Sequence, residues 1–226
     1  MDSADYDFWL FDLDGTLVDV EWPYIRAVFD RVSDELGRSF TDREATIIWH
    51  GLGDVRDRIL RSLDIEPATF WAAFHEIEQP AERARASVLH DDAATLLDAL
   101  DRQSIPVGVV THCQRFLTDP VLEGVGLDGR FETVVCCTDE LGWKPNPAPV
   151  RRAMAALGVD PSQRGVLVGD AESDVGAAWN AGLDAIHIER HTPAERGCCV
   201  RAEQRVESLS SLVSRVERDS VQVELD

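Results

Sequence analysis

The sequence predicts an α/β protein: a parallel sheet with helices on both faces, joined to a small all-α cap. Two observations predict it. From about residue 87 onward, short apolar runs alternate with helical stretches; from about residue 18 to residue 86 the pattern is helical throughout. Apolar runs with no polar face of their own are strands buried on both sides, as in parallel sheets. The expected division is therefore a core of residues 1–17 and 87–226 with a helical cap of residues 18–86.

The first strand is the run FWLFD, Phe8 to Asp12, which ends before an Asp-Gly turn. In the block from Leu17 to Arg85, Ile25, Val28, Phe29, Val32 and Leu36 recur at helical spacing, with Gly37 as a stop. Thr41 and Glu44 carry the spacing of a capping box. Further helices are expected over Val55 to Leu63 and Ala68 to Arg85, punctuated by Pro67 and Pro80.

Beyond Ser87 the alternation begins. Helices are expected over Asp91 to Arg102, Thr118 to Val125, Pro147 to Leu157, Ser173 to Ala181 and Ser208 to Val216. Strands are expected over Pro106 to Thr111, within Phe131 to Cys137, over Gly165 to Gly169, over Ala185 to Ile188, and near Arg205.

Charge narrows the partners. The chain has 226 residues and a formal net charge of −20. Such a surface repels nucleic acid backbones and anionic membranes, so neither is expected as a partner. No apolar stretch approaches the roughly 20 residues that span a bilayer, and the acidic N-terminus is unlike a signal peptide, so a cytoplasmic protein is expected. Of the 22 basic residues, Lys144 is the only lysine. An acidic chain almost free of Lys has the composition of proteins from extreme halophiles, where salt screens self-repulsion. The five cysteines show no CxxC spacing and are expected to be buried free thiols.

In doubly covered sheets, ligands bind beyond the carboxyl ends of the strands. The polar residues at those ends are Asp12 and Asp14, then Thr111 and His112, then Asp170, with Lys144 in a loop after the Cys136-Cys137 strand. In Asp12-Leu13-Asp14-Gly15-Thr16, two carboxylates leave one strand end together, whereas a plain turn needs only one. Asp174 lies one helical turn beyond Asp170 and can approach the same cation. Gathered carboxylates raise each other's pKa, a cost that a hard divalent cation relieves. Magnesium suits an oxygen-only site with waters and a substrate phosphate. Thr111 and the amide of His112 can hydrogen-bond phosphate oxygens, and Lys144 can neutralise both a nucleophile and a phosphate. The helical block leaves and re-enters beside this crevice, where it can act as a lid.

DLDGT, Thr111, Lys144 before a proline, and GDAESD resemble, in this order, the four motifs of the haloacid dehalogenase superfamily. The likeness covers essentially the whole chain, and the helical block resembles the cap of phosphoglycolate-phosphatase-like and phosphoglucomutase-like members. It implies a Rossmann-like core and a phosphatase acting on a small phosphorylated metabolite, as monomer or homodimer. It implies Asp12 as nucleophile and Asp14 as general acid/base, with Mg2+ held by Asp12, the Asp14 carbonyl and Asp170, and Asp174 close by. Thr16, Thr111, His112 and Lys144 fall to substrate binding; His112 departs from the Asn of many relatives. Asp14 separates this chain from the dehalogenases, and a cap without Lys excludes Schiff-base phosphonate hydrolysis.

Two other readings stay open. One is a sugar-phosphate mutase with the same nucleophile; the other, more remote, is a phospho-accepting signalling domain. Arg26, Arg56, Arg58 and Arg61 of the cap could grip a carboxylate or second phosphate, but no pattern singles one out.

Overall fold

A computed structural model describes residues 6–160 and 162–217. Its main sheet has six strands: β1 (Phe8–Phe11), β4 (Val107–Thr111), β5 (Thr133–Cys136), β6 (Gly165–Gly169), β7 (Asp184–Ile188) and β8 (Gln204–Val206). All pairings are parallel, in the order β5-β4-β1-β6-β7-β8. The chain builds outward from β1 through β4 to β5, then crosses to β6 on the other side of β1. That reversal puts a crevice beyond the carboxyl ends of β1, β4 and β6.

The apolar strands are buried on both faces because each face has its own core. Trp9 and Phe11 point into one, with Leu96, Leu100, Val121 and Leu212. Phe8 and Leu10 point into the other, with Val150, Leu167, Val175 and Ala178. Two-residue periodicity sends alternate side chains to opposite faces, and no residue of β1 is free to be polar until the strand ends. The covering helices are α6 (Asp91–Arg102), α7 (Arg115–Gly124), α8 (Ala148–Leu157), α9 (Glu172–Ala181) and α11 (Ser210–Val216).

The cap helices are α1 (Trp22–Leu36), α2 (Asp42–His50), α3 (Arg56–Ser62), α4 (Pro67–Ile77) and α5 (Pro80–Ala86). The cap has a core of its own, in which Phe29 meets Phe40, Phe70 and Phe74 at ring centroid distances of 5.4, 6.0 and 5.8 Å. Such pairs contribute about 0.5–1.5 kcal/mol each beyond burial. The Thr41 hydroxyl accepts from the Glu44 amide at 3.2 Å while Glu44 Oε2 accepts from the Thr41 amide at 2.8 Å, which completes the capping box. Gly37 closes α1 in the left-handed conformation, φ 62°.

Three local expectations change. The block expected to be helical from Leu17 begins instead with strand β2 (Val18–Val20), which pairs antiparallel with β3 (Ser87–Leu89). The chain thus leaves and returns through a two-stranded ribbon, whose three-residue strands are too short to show a period. The stretch Ala68 to Arg85 is two helices, with extended Glu78 and Gln79 between them and Pro80 opening α5. Cys136 and Cys137 are buried, but Cys198 and Cys199 are exposed, just after a one-turn helix α10 (Pro193–Arg196) that the sequence reading did not anticipate. Among the described residues, no helix is long and apolar enough to cross a membrane.

Candidate active site

The strand ends meet. Asp12, at the end of β1, has its amide bonded to the Val168 carbonyl at 2.9 Å, which ties it to β6. The chain then turns through Gly15, φ +79°, where an added Cβ would stand 2.7 Å from Asp170 Oδ2. Only glycine takes this turn and allows the first loop to close on the second acidic motif. Thr16 is fully buried, and its hydroxyl donates to Asp170 Oδ1 at 3.4 Å.

Asp170 follows β6, and Asp174 lies in the first turn of α9. Asp174 Oδ2 accepts from the Ala171 amide at 3.0 Å, so it caps the helix while its other oxygen faces the crevice. A Cβ on Gly169 would stand 2.3 Å from Asp174 Cγ, so the strand end must be bare for this carboxylate to fold back. Lys144 is 5% exposed. Its Nζ donates to Asp12 Oδ1 at 2.6 Å and to the Val110 carbonyl at 2.8 Å, and lies 2.6 Å from Asp174 Oδ1. The Asp174 contact lacks hydrogen-bond geometry and leaves that oxygen a charge neighbour but no hydrogen-bond donor among the described residues.

The electrostatics follow from burial. Burial pushes the Asp12 carboxyl up to about 7; Lys144 opposes this, and Asp174 and Asp14 reinforce it. Burial, then Asp12 and Asp174, raise Asp170 well above the carboxylate range. Burial lowers the Lys144 pKa, but Asp12 and Asp174 outweigh it and hold the ammonium charged. One ammonium does not balance three carboxylates. Asp12, Asp170 and Asp174 each offer an oxygen within 4.8 Å of the others, the one such cluster among the described residues. Buried, over-acidic and oxygen-only, it fits a divalent cation.

Thr111 is buried at the end of β4, and its Oγ1 accepts from the Cys113 amide at 2.9 Å. His112 packs edge-on against Trp143 at 5.6 Å. Burial, with Lys144 and Arg56, pushes its pKa down to about 2, so the imidazole is neutral, and its buried Nε2 has no hydrogen-bond partner among the described residues.

The sequence reading missed Arg83 of α5, which is 3% exposed and forms an ion pair with Asp14. Beside it, the Tyr24 hydroxyl donates to Glu78 Oε1 at 3.4 Å. Burial pushes Glu78 up to about 7, against the pull of Arg83. In the sequence Arg83 is one basic residue in the run ERARA, indistinguishable from a solvated helix face. The cap arginines considered earlier serve the cap: Arg26 pairs with Asp30 and Asp42, Arg61 with Asp57, and Arg56 donates to the Ile48 and Trp49 carbonyls at the end of α2. Arg58 is exposed.

Residues 9–188 match the family described as haloacid dehalogenase-like hydrolase. The chain is 32% identical over 209 residues to the plasmid phosphoglycolate phosphatase of Cupriavidus necator, covering 90% of each protein. It is 31% identical over 185 residues to the phosphoglycolate phosphatase of Pectobacterium atrosepticum, covering 78% of this chain and 77% of that one. Among solved structures, CbbY from Rhodobacter sphaeroides in complex with phosphate superposes with a TM-score of 0.70 at 23% identity, over 92% of this chain and 96% of that one. A HAD family hydrolase from Deinococcus radiodurans with bound phosphate and sodium gives 0.65 at 24% identity, over 92% and 93%. The chain belongs to the haloacid dehalogenase-like hydrolases, in their helically capped, phosphoglycolate-phosphatase-like branch, and is a phosphoric monoester hydrolase that works through an aspartyl-phosphate.

Proposed function

We propose that the substrate is a small organic phosphomonoester, that the metal is magnesium, and that Asp12 is the residue phosphorylated. The convergence of Asp12, Asp170, Asp174 and Lys144 in one buried cluster carries this reading.

Asp12 attacks phosphorus in line and the alcohol leaves, so one P–O bond forms as another breaks. Lys144 fixes the Asp12 carboxylate through its hydrogen bond and opposes charge on the phosphoryl oxygens. Thr16, Thr111 and the neutral His112 line the bound phosphoryl group. Asp14 gives a proton to the departing alkoxide, then takes one from the water that hydrolyses the acyl phosphate. Asp12, Asp170 and the Asp14 carbonyl would hold magnesium, with Asp174 beside them; when bound, it offsets negative charge on the phosphoryl oxygens.

The cap, taken as residues 18–86, closes over the crevice and excludes water. The similarity to phosphoglycolate phosphatases favours a short phosphorylated acid as substrate. The composition, acidic and with a single lysine, supports work in concentrated salt inside the cell.

A screen for phosphate release over a panel of phosphorylated metabolites, with magnesium and at both low and molar salt, tests this. Release from short esters supports the proposal. Isomerisation of a hexose 1-phosphate without release would instead favour the mutase, and inert esters would sink the phosphatase reading.

A further inference from the structure

We infer that Arg83 selects the substrate by binding a second anionic group, a carboxylate or phosphate, on the alcohol part of the ester beside Asp14. The inference rests on the phosphatase reading above and goes beyond it by naming the residue and the chemistry it recognises.

Position comes first. Arg83 sits on α5, which packs along α7 of the sheet domain, with Ala84 against Gly124 so closely that a Cβ on Gly124 would stand 3.2 Å from the Ala84 carbonyl oxygen. The Arg83 carbonyl also accepts from the Ser87 hydroxyl at 2.9 Å, where the chain enters β3. These contacts hold the root of α5, and with it the guanidinium, beside the catalytic loop. It reaches Asp14, the one acid of that loop with an open side chain, 31% exposed.

Valence comes second. One terminal nitrogen of Arg83 bonds Asp14, while Nε and Nη1 are buried and have no acceptor among the described residues. Buried donors without acceptors are costly, and an anion placed there satisfies both. Trp49 of α2 covers the guanidinium, 4.6 Å from cation to ring centroid. Displacement of the Trp49 ring uncovers Arg83, and an anionic ligand arriving there meets both donors.

Charge comes third. The crevice and the chain, at −20, repel a doubly anionic ester. Glu78, the other acid facing Arg83, is pushed by burial up to about 7, so near neutrality its charge is only partly expressed. The guanidinium is left as the attractive group on the alcohol side of Asp14.

The test compares kcat/KM, with magnesium, for three esters: 2-phosphoglycolate, ethane-1,2-diol bisphosphate and phenyl phosphate, which has no second anion. In R83A the preference for the anionic esters over phenyl phosphate is expected to fall at least about 30-fold, mainly through KM, and in R83K by less, because the ammonium keeps charge but not geometry. Whichever anionic ester loses more identifies the group bound. Should R83A not fold, R83Q and R83K give the same ratio. A ratio within about threefold of wild type in folded, active variants overturns the inference and leaves Arg83 a support for Asp14. Wild-type protein inert toward all three esters overturns the phosphatase reading and this one together.

Discussion

The Lys144 ammonium stands 2.6 Å from Asp12 Oδ1, across 132 positions of sequence. It is the one lysine of the chain, and among the described residues it is the cation in contact with two of the three clustered carboxylates. Breaking a buried pair leaves an uncompensated charge, a loss of about 3–5 kcal/mol. K144A is therefore expected to lose stability of that order in chelator, less in magnesium, and to slow turnover by about a hundredfold or more. Urea melts with and without magnesium check the first expectation, and phosphate release the second.

Asp12→Asn should separate chemistry from folding. The amide keeps the shape and removes one of several like charges, so in chelator the variant is expected to be at least as stable as wild type. Turnover is expected to fall at least about a thousandfold, because an amide is no nucleophile. A near-normal rate would remove Asp12 from that role.

Metal removal should silence the enzyme reversibly. EDTA is expected to abolish phosphate release, and excess magnesium to restore it. At about a hundred times its dissociation constant, the ion adds about 2.7 kcal/mol of stability. Burial holds a proton on Asp12 up to about pH 7, and a cation must displace it. Magnesium affinity is thus expected to strengthen as pH rises toward 7, with proton release visible by calorimetry in buffers of different ionisation enthalpy. Full activity in chelator would contradict the metal site.

A second ion pair governs acid stability. Arg190 makes two bonds of 2.8 and 2.9 Å to Asp92, which also accepts from the Leu209 amide and the Ser208 hydroxyl, while Arg190 donates to the Thr16 carbonyl at 2.8 Å. This clamp ties α6 and the C-terminal segment to the catalytic loop. Burial raises the Asp92 pKa, but Arg190, the Leu209 amide and Ser208 outweigh it and hold it at about 2. A carboxyl depressed in the folded state stabilises above its unfolded pKa, and the contribution disappears as pH falls through the folded value. Roughly 2 kcal/mol is expected to be lost between about pH 4 and pH 2, and Asp92→Asn should flatten that part of the stability curve. Urea midpoints across that range decide it.

Much of this was legible in the sequence, for identifiable reasons. FWLFD and GVLVG are fully apolar up to an acid, and a parallel sheet puts such ends on one crevice, so Asp12 and Asp170 could be placed together without coordinates. The two cap features tied to local spacing, the Thr41 capping box and the Gly37 stop, formed as expected. Long-range contacts left no local trace. Arg83 meets Asp14 across 69 positions, and the β2–β3 ribbon joins Val18 to Leu89 with strands too short to signal themselves. The exposed Cys198 and Cys199 were misjudged because a thiol's usual burial says little about a surface segment following a one-turn helix.

The most direct test is to quench the enzyme rapidly during turnover of a 32P-labelled phosphomonoester with magnesium, then map the label by mass spectrometry. Acid-stable, hydroxylamine-labile phosphate on Asp12, absent from Asp12→Asn, is the expected result. Sustained phosphate release with no labelled aspartate, or with the label on another residue, would contradict it.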